Sequence, residues 1–248
     1  MLTILKNRFE QGYRTCNYPK EKPAVFPRYR GKPVIQKTAD PEMVKACADA
    51  CPQDAIVVDK KKIDMGRCIF CGTCERLSKG KFVTFTDDFE ISTAKKEDLL
   101  TDGDLPSLAQ HTKQHFKKLF GRSLQLRQVS AAGCNACEAD LNVLATPFFD
   151  LARFGINFVA SPRHADAIVV TGPVSRNMKT ALLRTYEAVP EPRVVIAVGS
   201  CALTGGPFSH SAEVAKGLDT ILPVDLFIPG CPPHPLTNLH GLLAFFKA

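Results

Sequence analysis

The chain has 248 residues, 45% hydrophobic and 23% charged, enough to bury one large core or two modest ones. Its formal charge is +7 at pH 7, yet no nucleic-acid-reading module accompanies the excess, which argues against a DNA- or RNA-binding role. No apolar run reaches the roughly 18–20 residues of a membrane helix, and ten cysteines point to metal or redox chemistry rather than to disulfides.

The first segment, residues 1–37, carries nine basic side chains (Lys6, Arg8, Arg14, Lys20, Lys22, Arg28, Arg30, Lys32, Lys37) against Glu10 and Glu21. It reads either as a solvated basic surface or as a docking surface for an acidic or membrane-bound partner. The start, MLTILKNRFE, lacks the apolar core of a signal peptide and a twin-arginine address, so a cytosolic protein is expected.

Cysteines then appear in a revealing arrangement. Cys68, Cys71 and Cys74 keep the C-x2-C-x2-C spacing of an iron–sulfur ligand run, but Ser78 and Lys79 stand where a fourth cysteine and a proline belong. Upstream, CADACPQDAI supplies Cys47, then Cys51 followed by Pro52. In two-cluster bacterial ferredoxins each run gives three ligands to one cluster, and its fourth cysteine crosses to the other. By that arithmetic one set is Cys51, Cys68, Cys71 and Cys74, complete. The other is positions 41, 44, 47 and 78, of which only Cys47 remains. One [4Fe–4S] cluster is therefore expected and its neighbour dismantled. A structural zinc site is the competing reading, since thiolates at this spacing also suit zinc. Cys47 is read as a buried leftover thiol and Cys16 as an ordinary loop cysteine. Short helices over 42–50 and 72–78 and strand-like pieces over 54–58 and 82–86 fit a compact α+β ferredoxin-like domain over residues 1–95.

Residues 96–121 read as a linker, with Leu108, His111, His115, Leu119 and Phe120 at helical spacing. Beyond it, over 122–248, LQLRQVS, AIVVTG (167–172), VVIAVGS (194–200) and DLFIPG (225–230) have the look of buried strands. A helical segment over 177–189 lies between two of them. This alternation predicts an α/β, doubly wound, flavodoxin-like parallel sheet. Ligands of such sheets gather beyond the carboxyl ends of the strands, and Cys134, Cys137, Cys201 and Cys231 all lie in glycine-flanked loops at such ends.

Two resemblances follow from these residues. TCNYPKEKPAVFPRYRGKPVI with GRCIFCGTCE resembles the ferredoxin-like iron–sulfur subunits of formate hydrogenlyase and related energy-converting hydrogenases. AAGCNACEADLNVL, SPRHADAIVVTGPV, VGSCALTGG and IPGCPPHP resemble the small subunit of [NiFe] hydrogenases and the 20-kDa cluster-binding subunit of complex I. Cys134-Asn135-Ala136-Cys137 keeps the hydrogenase-type spacing rather than the adjacent cysteines usual in complex I. The second resemblance implies a further [4Fe–4S] cluster on Cys134, Cys137, Cys201 and Cys231, nearest the active site of a large subunit. It also implies a proton-relay acid near the boundary with that subunit, for which Glu138 is the candidate. A helix-terminal acid favoured by the dipole is the plainer alternative. With four thiols complete, His164 and His234 are expected at the surface or an interface rather than as ligands.

The expectation is thus a non-catalytic electron-transfer subunit with two [4Fe–4S] clusters, in a membrane-associated energy-converting hydrogenase complex. A complex-I-like relative that reduces quinone or another acceptor without nickel is the second reading, and a zinc-stabilised interaction protein the third. Expected partners are a catalytic large subunit, membrane-arm subunits and a further iron–sulfur donor, with no nucleic acid. The expected place is the cytoplasmic face of the membrane, held through those partners.

Overall fold

The computed structural model describes residues 2–106, 108 and 123–247. The connecting helix expected over 108–120 therefore lies, Leu108 apart, outside the described residues.

The chain opens with helix α1 (Leu2–Gln11), none of whose residues is buried. Two strand–helix–strand units follow. The first is β1 (Pro33–Ile35), α2 (Pro41–Asp49) and β2 (Ile56–Val57); the second is β3 (Lys62–Asp64), α3 (Thr73–Ser78) and β4 (Val83–Phe85). Asp40 caps α2 by accepting the Glu42 amide, and Pro41 sits in the first turn, where its missing N–H costs nothing. β1 pairs antiparallel with β4, and β3 pairs antiparallel with β2 and with β5 (Leu100–Thr101). Between these pieces Val44, Cys47, Ile63, Phe82 and Val83 form a small core of their own.

The second half is a five-stranded, all-parallel sheet of β6 (Leu124–Ser130), β7 (Ile156–Phe158), β8 (Ala167–Thr171), β9 (Val194–Val198) and β10 (Leu226–Ile228). The strand order is β10-β9-β8-β6-β7, the flavodoxin-like order with its switch point between β6 and β8. Every residue of β8 and β9 is buried, and they divide by parity. Ala167, Val169, Val194, Ile196 and Val198 join one core with Leu141 of α4 (Ala136–Val143) and Leu239 of α7 (Pro235–Lys247). Ile168, Val170, Val195 and Ala197 join the other with Leu182 of α5 (Arg176–Glu187) and Ala202 of α6 (Gly199–Thr204). That two-faced burial explains why these strands read as continuous apolar runs. The sequence pattern extends the third run to residue 200, but β9 stops at Val198, and Gly199 and Ser200 begin α6.

The two halves share their cores. Met65, Ile91 and Leu99 pack among Val195, Leu203 and Phe227, while Phe89, Cys16 and Tyr18 pack on the opposite face. Thr93 pairs with Phe227 of β10 through two backbone hydrogen bonds (3.0 and 2.8 Å), covering an otherwise open sheet edge. Arg153 Nη2 donates to the carbonyls of Cys16 (2.7 Å) and Tyr18 (2.9 Å), fastening the early segment to the parallel-sheet half. Some of the N-terminal positive charge is also committed inside the chain. Lys22 and Lys32 pair with Asp88, Arg30 with Glu75, and Lys37 with Asp102.

Candidate functional site: two cysteine quartets

The first quartet is built locally. Cys51 follows α2, Cys68 and Cys71 lie in the turn after β3, and Cys74 sits in the first turn of α3, a position whose dipole favours thiolate charge. Phe70 and Gly72 adopt left-handed backbone conformations (φ 54° and 71°), which curl this turn around its thiols. All four cysteines line one small cavity with Ile56, Ile63 and Phe85. Backbone amides point at the sulfurs: Ala55 N–H donates to Cys51 Sγ (3.4 Å) and Phe70 N–H to Cys68 Sγ (3.3 Å). Burial pushes the Cys68 thiol well up, and Cys74, Cys51 and Cys71 add to the rise. Cys74 is pushed up to about 11, first by burial and then by Cys47, Cys51 and Cys71.

Of positions 41, 44, 47 and 78, the last three are packed in the interior and Pro41 is exposed. Val44 and Cys47 are wholly buried, Ser78 is 1% exposed, and Pro41 starts α2. Cys47 Sγ donates to the Cys74 carbonyl (3.6 Å) and Ser78 Oγ to the Glu75 carbonyl (3.4 Å). Cys16 lies in a loop, and its side chain is buried in the larger core.

The second quartet is assembled by the sheet. Cys134 and Cys137 follow β6, Cys201 follows β9 and Cys231 follows β10. Cys137 and Cys201 both lie in first helical turns. Burial pushes the Cys137 thiol well up, with Cys201, Glu138, Cys231 and Cys134 adding to it. Cys201 is pushed up to about 12 by burial, then by Cys231 and Cys134. Thiols far apart in sequence thus meet closely enough to oppose one another's ionisation. Gly199 is required by this crowding: its φ is +86°, and a Cβ there would stand 2.7 Å from Cys137 Sγ. A Cβ on Gly206 would likewise come within 3.0 Å of Cys201 Sγ.

These features fit an electron-carrying cluster in both places. The donors are all thiols, the raised pKa values of Cys68, Cys74, Cys137, Cys201 and Cys231 call for a compensating cationic core, and backbone or glycine lines the approach. The environments differ. Cys68 and Cys201 are buried, whereas Cys134 and Cys231 are exposed. An open cleft of about 290 Å³ runs between the two halves, lined by Arg30, Ile69, Phe70, Cys231 and His234 among others.

Glu138 is buried, and its Oε1 accepts from Ser130 Oγ and Thr171 Oγ1, both at 2.6 Å. Burial alone would raise its pKa, but the two hydroxyls outweigh burial and hold it below the usual carboxylate range. Ser130 and Thr171 are the last residues of β6 and β8, so the carboxylate clasps the two strand ends at the switch point. His164 is exposed in a turn. His234 Nδ1 accepts the Leu236 amide (3.2 Å) at the start of α7, and its ring meets Tyr29 edge-on at 5.1 Å.

Residues 134–245 match the family described as NADH ubiquinone oxidoreductase, 20 Kd subunit. The probable membrane-bound hydrogenase subunit mbhJ of Pyrococcus furiosus is 43% identical over 126 residues, which are 51% of this chain and 75% of that protein. The chain belongs to this family. Other members are similar at comparable levels. Formate hydrogenlyase subunit 7 of Escherichia coli is 44% identical over 50% of this chain and 49% of its own length. A subunit of the NADH-quinone oxidoreductase of Roseiflexus sp. is 45% identical over 46% of this chain and 43% of its own. The chain thus spans half or less of these last two relatives. Among solved structures, a chain of the archaeal membrane-bound sulfane sulfur reductase aligns at 34% identity over 53% of this chain and 75% of its own, with a TM-score of 0.47. The family match contains all of the second quartet and none of the first.

Three side chains that bond to residues of the two quartets' surroundings were silent in the sequence: Ser130, Thr171 and Ser200. Ser200 Oγ donates to the Cys68 carbonyl at 2.9 Å, across the two halves. A serine is too common for its type to signal such a role. Only its place immediately before Cys201 was informative.

Proposed function

We propose that this chain is an electron-transfer subunit holding two [4Fe–4S] clusters, one on Cys51, Cys68, Cys71 and Cys74 and one on Cys134, Cys137, Cys201 and Cys231. What supports the reading is the one cavity lined by Cys51, Cys68, Cys71 and Cys74, together with the three strand-end loops at one sheet edge that carry Cys134, Cys137, Cys201 and Cys231, where a Cβ on Gly199 of the Cys201 loop would stand 2.7 Å from Cys137 Sγ. A bound [4Fe–4S] cluster supplies reversible one-electron transfer. The protein's own part is to supply eight thiolates, aim amides and helix N-termini at them, and exclude water from the inner pair Cys68 and Cys201. The two strand–helix–strand units of the first half support a ferredoxin-type module with one site kept and one filled by packing.

The exposed Cys134 and Cys231 place the second quartet where a partner can cover it, which supports a catalytic large subunit docked on that edge. Glu138 serves there as a charged clasp for the Cys137 turn and is the candidate proton-relay acid of the same reading, a carboxylate that could take up a proton and pass it on. Membrane-arm partners and a place on the cytoplasmic face belong to the same reading. No helix among the described residues is long and apolar enough to cross a membrane, so attachment would run through partners. The Cys134–Cys137 spacing and the two hydrogenase relatives favour an energy-converting hydrogenase complex. The relative at 45% identity from NADH-quinone oxidoreductase favours a nickel-free, quinone-reducing complex as the second reading. A copurifying large subunit with two C-x2-C nickel-binding pairs decides for the first, and one without them for the second.

The test is iron and acid-labile sulfide analysis with low-temperature EPR of anaerobically purified protein. About eight iron atoms per chain and two distinguishable reduced signals are expected. Zinc in place of iron, with no signal, would overturn the proposal.

A further inference from the structure

Ser200 stands between the two quartets. It is 1% exposed, its peptide bond leads directly to Cys201, and its hydroxyl reaches the backbone carbonyl of Cys68 at 2.9 Å. The same Oγ lies 3.2 Å from the carbonyl of Gly230, the residue before Cys231. That carbonyl already receives the Ser200 amide at 2.8 Å, which leaves the single hydroxyl proton for the shorter contact to Cys68. One side chain therefore links a ligand of each quartet through one hydrogen bond and a few covalent bonds, in a place closed to water.

We infer that Ser200 is the positioning residue of the electron route between the quartets, which runs from Cys68 through its carbonyl and the Ser200 hydroxyl to Cys201. This rests on the two-cluster reading above. Tunnelling couples better through covalent and hydrogen bonds than across a gap, so the hydroxyl matters as a bridge rather than as a reactant. One electron leaves the group held by one quartet and arrives at the group held by the other. No bond forms or breaks, and the proton stays on Oγ. A second contact supplies a built-in control. Thr204 Oγ1 lies 3.2 Å from the Gly66 carbonyl across the same junction and equally 3.2 Å from the Ser200 carbonyl of its own helix, so its one proton is shared between them, and Gly66 is two residues from Cys68. Its path is longer by several bonds at the Gly66 end, while at the other end the Ser200 carbonyl leads directly to the Cys201 nitrogen.

The experiment compares the full-length protein with Ser200→Ala and Thr204→Val. Iron and sulfide content and the two EPR signals report loading, and rapid freeze-quench after a reductant pulse reports the rate at which the second signal follows the first. The expected result is full loading in all three, several-fold slower transfer in Ser200→Ala and an unchanged rate in Thr204→Val. An unchanged rate in Ser200→Ala, or equal slowing in both variants, overturns the assignment. If Ser200→Ala fails to load, Ser200→Cys is read in its place, because a thiol keeps the volume while donating weakly. Slower transfer there supports the route and wild-type transfer overturns it. Absence of one or both clusters from the unmodified protein is a separate outcome: it fells the two-cluster reading, not the choice of Ser200 within it.

Discussion

The two quartets present the same four-thiol chemistry by opposite means. Cys51, Cys68, Cys71 and Cys74 lie within 24 residues, counted from 51 to 74, and short turns on either side of β3 and α3 bring them together. Cys134, Cys137, Cys201 and Cys231 are scattered over residues 134–231 and meet only because β6, β9 and β10 run parallel and release their loops at one edge. The local quartet can be wrapped by its own chain and lies over an apolar core. The sheet-built quartet sits at the open end of its strands, with two of its cysteines exposed. A site at a strand-end edge is available to a partner in a way that a wrapped one is not, and this difference orients the proposed wire from the buried carrier towards the exposed one.

The strongest way to break the comparison is to remove one ligand at a time. Cys68→Ser is expected to abolish one EPR signal and about four of the irons while leaving the other signal intact, and Cys201→Ser to do the converse. Loss of both signals from either variant in a still-folded protein would show that the sites are not independent. The next effect is more selective. Gly199→Ala places a Cβ against Cys137 Sγ at a left-handed backbone position, which costs about 1–2 kcal/mol before the contact is counted. Partial loss of the second signal alone is expected, read by quantitative EPR, and an unaffected second signal would remove the crowding argument.

Val44→Ala tests the filled site beside the first quartet. It deletes wholly buried apolar volume and is expected to cost about 2 kcal/mol in denaturant unfolding, with iron content unchanged. Iron loss would mean that this position still serves a cluster. The smallest effect concerns the fastening of the early segment. Burial tends to raise the Asp88 pKa, but Lys32, the Glu90 amide and Lys22 outweigh it and hold the carboxyl below its ordinary 3.8. A lowered folded-state pKa stabilises above the unfolded value and is lost as pH falls through the folded one. Asp88→Asn is therefore expected to cost about 1 kcal/mol or less near neutral pH, with the gap closing below the ordinary carboxylate pKa. Unfolding curves at neutral and acidic pH check this.

The sequence alone singled out the two proposed ligand sets, the first by residue type and short spacing, with Cys51 before Pro52 and the three-cysteine run, and the second by the resemblance carried by the glycine-flanked Cys134, Cys137, Cys201 and Cys231. It also disclosed the main strands of the parallel sheet, since β8 and β9, buried on both faces, must be apolar throughout. The three-residue strands β1, β3 and β7 are not read from the sequence, although β4 and β10, equally short, are. Only the tertiary structure decided that β9 ends at Val198, that Glu138 is pulled down in pKa by hydroxyls at two strand ends, and that Ser200 touches Cys68. The Glu138–Thr171 and Ser200–Cys68 contacts join residues 33 and 132 apart in the chain, and the second follows from how the two halves share a core, which no local pattern encodes.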